Sequence, residues 1–226
     1  MIIIMKQIEK NNVPAENQLE EYDFVTMVNG ENSGKRILFV GNSITRHGVL
    51  EEIGWYHDYG MAASSIDKDY VHIVADEVLK HDPNAVFQIC QVAIWEVNYK
   101  NGSEYLEKFE AARKFNADII VLRFVENCAH SDFDAEIFYN EYKKLINYLD
   151  FEGKAKLIFT TGFWDHPGDD IIIKVSKEYG APVEYLGNLG EQDEMKAIGL
   201  FEHSGVANHP GDKGMRAIAE LILKHI

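Results

Sequence analysis

The sequence predicts a three-layer α/β/α domain on a five-stranded, mainly parallel sheet. Three observations carry that prediction. Five short apolar runs, lacking the polar alternation of a half-exposed strand, recur from residue 36 onward. Segments with the 3.6-residue period of amphipathic helices lie between them. Strand and helix then alternate five times, the pattern of βα units joined by right-handed crossovers.

The strands are read at Ile37–Val40, Val86–Val92, Ile119–Phe124, Leu157–Thr161 and Val183–Leu186. The first helix follows from Val71, Val74, Ala75, Val78 and Leu79, spaced i, i+3, i+4, i+7, i+8. Tyr105, Phe109 and Ala112 make the second stripe, and Phe138, Tyr142, Leu145 and Leu149 the third. Ile172, Val175, Ser176 and Tyr179 make a shorter fourth. Met215, Ile218, Ala219, Ile222 and Leu223 close the chain with the fifth. The domain is thus expected over residues 36–226. Residues 1–35 are polar and irregular, with one strand-like piece at Tyr22–Val28 before Asn29-Gly30 and Ser33-Gly34. They read as an N-terminal arm or hairpin packed on the domain.

The 226 residues are 46% hydrophobic and 26% charged, an ordinary globular balance that excludes a disordered or collagen-like chain. No stretch approaches the roughly 18 uninterrupted apolar residues of a membrane span, so no membrane association is expected. A formal net charge of −15 repels phosphate backbones, which argues against nucleic acid or an anionic membrane surface as partner. Cys90 and Cys128 sit in or beside apolar runs and read as buried free thiols. The start, MIIIMKQIEKNN, has a five-residue apolar patch with neither a preceding basic region nor a following small-residue cleavage site. Taken as written, it predicts a cytoplasmic protein. A homo-oligomer is compatible with all of this.

In parallel sheets, ligands bind beyond the carboxyl ends of the strands. Those ends carry Gly41-Asn42-Ser43-Ile44-Thr45, Arg123–Asn127 and Gly162–Asp170, and Gly205–Gly214 precedes the last helix. Ser43, in a tight turn after a buried strand, is a candidate nucleophile given a base to take its proton. The alternative is that Ser43 or Thr45 caps the next helix. The motif is not Gly-x-Ser-x-Gly, so the α/β-hydrolase elbow is not matched. His209, in Asn-His-Pro-Gly-Asp, is held by a turn and suits a general base; otherwise it is a surface His in a capping loop. Asp212 is placed to cap the last helix. Asn127 is a candidate donor to an oxyanion or a turn residue, and Gly60 a site of close backbone approach or a turn glycine.

The order Gly41-Asn42-Ser43-Ile44-Thr45, Gly60, Asn127, His209-Pro210 resembles the SGNH (GDSL-like) hydrolase superfamily over residues 36–226. The resemblance implies a flavodoxin-like sheet and a cofactor-free ester hydrolase of the esterase or acetylesterase kind. By position, Ser43 would attack an acyl carbonyl and His209 would shuttle its proton. The backbone N–H groups of Ser43 and Gly60 with the Asn127 side chain would form the oxyanion hole. Two departures stand out. Asn42 replaces the family's frequent Asp, and Val206 stands where an Asp commonly precedes the catalytic His by three. Glu202 or a main-chain carbonyl is then the candidate for orienting His209.

Aromatics in predicted loops, Trp55, Tyr59 and Trp164 above all, together with the Gly60-Met61-Ala62-Ala63-Ser64 block, resemble sugar-ester hydrolases. The expected substrate is a small-molecule or oligosaccharide ester with a short acyl group, acetyl foremost. Lysophospholipase or thioesterase activity stays as an alternative, as does a non-catalytic binding module of the same fold. A metal-dependent hydrolase is the weaker rival. His57, Asp58, Asp165, His166, His203 and His209 supply ligand types but no compact pair of the His-Glu-x-x-His kind, so no metal site is expected.

Overall fold

The computed structural model describes residues 23–29 and 34–226. In chain order these form β1 (Val25–Met27), β2 (Arg36–Gly41), α1 (Tyr70–Leu79), β3 (Val86–Gln91), α2 (Ala93–Val97) and α3 (Glu110–Phe115). They continue as β4 (Ile119–Arg123), α4 (Ala135–Leu149), β5 (Lys156–Thr160), α5 (Asp169–Glu178) and β6 (Val183–Glu184). Three helices complete the chain: α6 (Gly187–Gly190), α7 (Ser204–Asn208) and α8 (Asp212–Leu223).

The strands form one sheet in the order β1-β3-β2-β4-β5-β6. All neighbours are parallel except β1, which runs antiparallel along β3 with Val25 opposite Cys90 and Met27 opposite Gln88. The five expected strands are therefore six. The sixth comes from the arm, whose short extended piece covers what would otherwise be an open edge. Residues 1–22 and 30–33 of the expected arm lie outside the described residues. β6 keeps only two paired residues, so the run expected to reach Leu186 leaves the ladder early.

Alternation along the strands splits the core in two. Leu38, Val40, Ile120, Leu122, Leu157 and Phe159 face α2 to α5. Ile37, Phe39, Phe87, Ile89, Val121 and Ile158 face α1 and α8 through Val71, Val74, Met215, Ile218 and Ile222. That is the expected three-layer arrangement. The second stripe is a partial exception. A 3-10 stretch at Tyr99–Phe109 carries most of it, and only Glu110–Phe115 is α-helical. Gly102 against the Trp95 ring and a kink at Asn101 accompany the tighter winding.

A third, smaller apolar cluster matters for function. Ile53, Trp55, Met61 and Ala62 from the loop after β2 pack on Ala197 and Val206 near the chain's end. The bridges His47–Tyr59, Leu50–Trp55 and Lys196–Pro210 fold these two loops onto themselves and so fix the walls between them. Cys90 and Cys128 are buried free thiols, as expected.

Candidate active site

Leaving out β1, the parallel strands run in the 2-1-3-4-5 order of flavodoxin-like sheets, whose crevice opens where the winding direction reverses. Here that point lies between β2 and β4. Ser43 follows β2, and Asn127 follows β4.

The turn carrying Ser43 is shaped from both sides. A Cβ on Gly41 would run into the Thr45 side chain and crowd the Arg123 carbonyl, so only glycine fits at the strand's end. The chain then reverses, with the Asn42 carbonyl accepting from the N–H groups of Thr45 and Arg46 at 2.9 and 3.0 Å. The next α-helix, α1, begins only at Tyr70 and has Asp69 as its cap, so neither Ser43 nor Thr45 caps it. The Thr45 hydroxyl instead meets the buried Tyr70 hydroxyl at 2.8 Å.

His209 lies just past α7. Its main-chain N–H bonds the Val206 carbonyl, and its carbonyl accepts from Ala197 N–H. The ring is fixed at both nitrogens. Nδ1 is 2.7 Å from the Gly205 carbonyl oxygen, and Nε2 is 2.8 Å from Ser43 Oγ. A carbonyl only accepts, so Nδ1 carries the proton of the neutral ring, and the Nε2 lone pair faces the serine hydroxyl. Burial pushes the His209 pKa down to about 4, opposed by the Gly205 carbonyl. The Trp164 ring stands edge-on to the imidazole, with centroids 5.7 Å apart.

Beneath the turn lies a buried polar network. Arg123, fully buried, donates to Asn42 Oδ1 at 2.8 Å and to Glu126 Oε2 at 2.7 Å. Asn42 Nδ2 donates to both Glu126 and Glu96, at 2.6 and 3.1 Å. Glu96 also accepts from Asn127 Nδ2 at 2.8 Å, which sets the orientation of that amide. Burial, then the Glu126 charge, pushes the Glu96 pKa up to about 7. Burial alone would raise Glu126 as well, but Arg123, the Phe163 N–H and Asn42 hold it below the usual carboxylate range. The sequence reading passed over these carboxylates and Arg123. For Arg123 and Glu126 the signal was present, charges at and just beyond the end of a strongly apolar strand; Glu96 lies within α2.

Ser43, Asn127 and His209 line one cavity of about 190 Å³, with His47, Ile53, Met61 and Val206 among its walls. Other expected members lie elsewhere. Glu202 is exposed, and the Gly205 carbonyl holds the position proposed for it at Nδ1. Trp55 is fully buried in the third cluster and donates Nε1–H to the His47 carbonyl, so it presents no face to a substrate. Tyr59 is half-buried between Trp55 and a stacked His57. The Gly60 N–H donates to Asp69 Oδ2 at 3.1 Å and is thereby taken from the expected oxyanion hole. Asp212 does not cap α8. Gly211 holds the cap position, while the Asp212 carboxylate accepts from the N–H and hydroxyl of Ser64 at 2.8 and 2.7 Å. Among the described residues, no three His, Cys, Asp or Glu side chains converge as a metal site would require, and no helix is long and apolar enough to cross a membrane.

No protein-family model matches the chain, and no curated protein matches it by sequence. Solved structures do match. A two-domain esterase active on acetylated mannans, co-crystallized with mannopentaose, is similar at a TM-score of 0.54 and 16% identity. The match covers 84% of this chain but 48% of that one, so this chain spans about half that protein's length. The psychrotrophic esterase EstA from Pseudoalteromonas sp. gives 0.56 at 10% identity, over 84% of this chain and 96% of its own. A protein described as lipolytic and of the G-D-S-L family, from Desulfitobacterium hafniense DCB-2, gives 0.51 at 11% identity, over 85% and 99%. What these share with the chain is the fold, and the fold is that of the SGNH hydrolases.

Proposed function

We propose that this protein is a serine ester hydrolase that removes a short acyl group, acetyl foremost, from a carbohydrate alcohol. The observation that carries the proposal is the 2.8 Å contact between Ser43 Oγ and a His209 Nε2 left unprotonated by its Gly205 partner. A serine hydroxyl needs such a base to become nucleophilic.

The steps follow from the geometry. Ser43 Oγ bonds to the ester carbonyl carbon as its proton passes to His209 Nε2, and the C=O π pair moves onto oxygen. Collapse of that oxyanion breaks the bond to the alcohol, which leaves with the His209 proton. Water then attacks the acyl-serine, giving one proton to His209. The second collapse releases the carboxylic acid and returns the proton to Ser43. Asn127 Nδ2 is held by Glu96 through one hydrogen, and its other is left for the oxyanion.

The substrate class rests on size and on likeness. A cavity of about 150 Å³ accommodates a benzene, so about 190 Å³ is room for an acetyl to butyryl group beside Ser43. The sugar assignment draws on the acetylated-mannan esterase of the same fold, with Trp164 beside His209 as the aromatic surface.

Hydrolysis of p-nitrophenyl acetate, butyrate and octanoate tests this with wild type, Ser43→Ala and His209→Ala. The expected result is acetate over octanoate, with at least about a 100-fold loss in each variant. Equal background rates from all three proteins would overturn the reading. Acetylated oligosaccharides, followed by acetate release, test the alcohol half.

A further inference from the structure

Among the described residues, two buried side-chain N–H groups belonging to the cavity lining have no hydrogen-bond acceptor, Gln91 Nε2 and His203 Nε2. Gln91 is the more constrained. The residue is 1% exposed, and its amide cannot turn over, because Oε1 accepts the Ala93 N–H at 2.9 Å. A donor in that place would face another donor. The two hydrogens on Nε2 are therefore left over, with no acceptor for them among the described residues.

Its position in the sheet is as telling. Gln91 ends β3 and pairs in register with Gly41 of β2, two residues before Ser43. It reaches the cavity from the strand beside the nucleophile, and α2, which follows it, carries the Glu96 that orients Asn127. The donor expected from Gly60 is meanwhile bound to Asp69. A Cβ on Gly60 would meet the Ile44 carbonyl, Asp69 and Met215, all interior neighbours. The site is thus short of one expected main-chain donor, and of its two side-chain donors without a use Gln91 is the one fixed beside the nucleophile's strand.

We propose that Gln91 Nε2 donates to the carbonyl oxygen of the scissile ester, acting with Asn127 Nδ2 in the place expected of Gly60. The inference rests on the ester-hydrolase reading above. The carbonyl oxygen gains a full negative charge as Ser43 adds, so a donor fixed toward it acts more strongly on the transition state than on the bound ester. The loss on removing it therefore falls on kcat.

The test measures kcat and KM for p-nitrophenyl acetate in wild type, Gln91→Met, Gln91→Glu and Ser43→Ala, with circular dichroism and thermal unfolding as folding controls. Gln91→Met keeps length and removes the donor. Gln91→Glu keeps shape and the bond to Ala93 while presenting a lone pair to the cavity, so it carries the test if the methionine variant misfolds. The expected result is a fall in kcat of about 30-fold or more in both, with KM within about threefold. Gln91→Glu should also regain part of its loss relative to wild type between pH 7 and 5, as its carboxyl takes up a proton and becomes a donor. A structural role would give no such recovery. A kcat within threefold of wild type, or a loss confined to KM, overturns the inference and leaves the ester-hydrolase reading standing. Wild type no faster than Ser43→Ala would instead sink that reading, and this inference with it.

Discussion

Lowering the pH interrogates the surroundings of His209 directly, because the base works only while its ring is neutral. An exposed histidine titrates near 6.5. Burial brings His209 down to about 4, with the Gly205 carbonyl pulling the other way and no carboxylate at Nδ1. At pH 5.5 a group titrating at about 4 is about 97% neutral, and one titrating at about 6.5 is only about 9% neutral, a tenfold difference in working base. The assay is kcat/KM for a short ester from pH 3.5 to 8, which reports the free enzyme. The acid limb should have its midpoint near 4. Glu96, titrating at about 7, adds a separate shoulder through its hold on Asn127. Repeating the profile in Glu96→Gln separates the two, since the shoulder goes and the limb stays. A limb near 6.5 that persists in Glu96→Gln would refute the argument from burial. Stability follows the same group. The unfolded chain binds a proton at His209 near pH 6.5 and the native state only near 4, so native stability falls as pH drops through that window. Between pH 7 and 4.5 this costs the native state about 2 kcal/mol, read as the difference between wild type and His209→Gln in urea unfolding.

The remaining predictions concern what surrounds the dyad. Glu202→Gln should leave kcat/KM within about twofold, since the exposed carboxylate makes no contact with His209; a loss of tenfold would restore it as the orienting acid. Val206→Asp puts back the carboxylate common in SGNH hydrolases, yet it should lower stability by about 3 kcal/mol without raising kcat. Val206 is 1% exposed among Ile53, Trp55 and Met61, and Nδ1 already has its partner. Thermal unfolding and ester assays read both effects. Glu96→Gln should lower kcat about tenfold or more at pH 8 with KM little changed, because one amide oxygen cannot accept from Asn42 and from both the main-chain and the side-chain N–H of Asn127 as the carboxylate does.

The parallel sheet was legible because strands buried on both faces have to be written as continuous apolar runs, and Ile119–Arg123 and Lys156–Thr160 are. β1 was less so. Its three residues are strand only by pairing with β3, and Val25 and Thr26 are half-buried while Met27 is exposed. In the candidate site, Ser43, Asn127 and His209 could be singled out because the role proposed for each needs a particular side chain, the first two just past strand ends and the third just past α7. The Gly205 carbonyl was not, since every residue carries one and only the fold of α7 aims it. Trp55 misled for a related reason. Its loop has little regular secondary structure, yet the bridges His47–Tyr59 and Leu50–Trp55 close it on itself, and a closed loop of that length builds a core of its own.

The placement of negative charge determines which half of the site works hardest. A carboxylate behind the histidine stabilises the imidazolium that forms as the serine attacks. Here that place holds the main-chain carbonyl of Gly205, the second residue of α7, a dipole in place of a full charge. The buried carboxylates Glu96 and Glu126 stand beneath Asn42 and Asn127, on the side proposed for the oxyanion. They cannot stabilise a second negative charge directly, and at full ionisation they would oppose it. Arg123 offsets one of them, and the raised pKa of Glu96 keeps the other part-protonated near neutral pH. Their contribution is geometric: they hold the amide of Asn127 rigid so that its free hydrogen needs no reorganisation when charge appears. A weak base paired with rigid donors shifts the barrier onto the donors. The rate should therefore fall nearly as far on losing Asn127 as on losing His209, and an Asn127→Ala variant more than 30-fold faster than His209→Ala would break that argument.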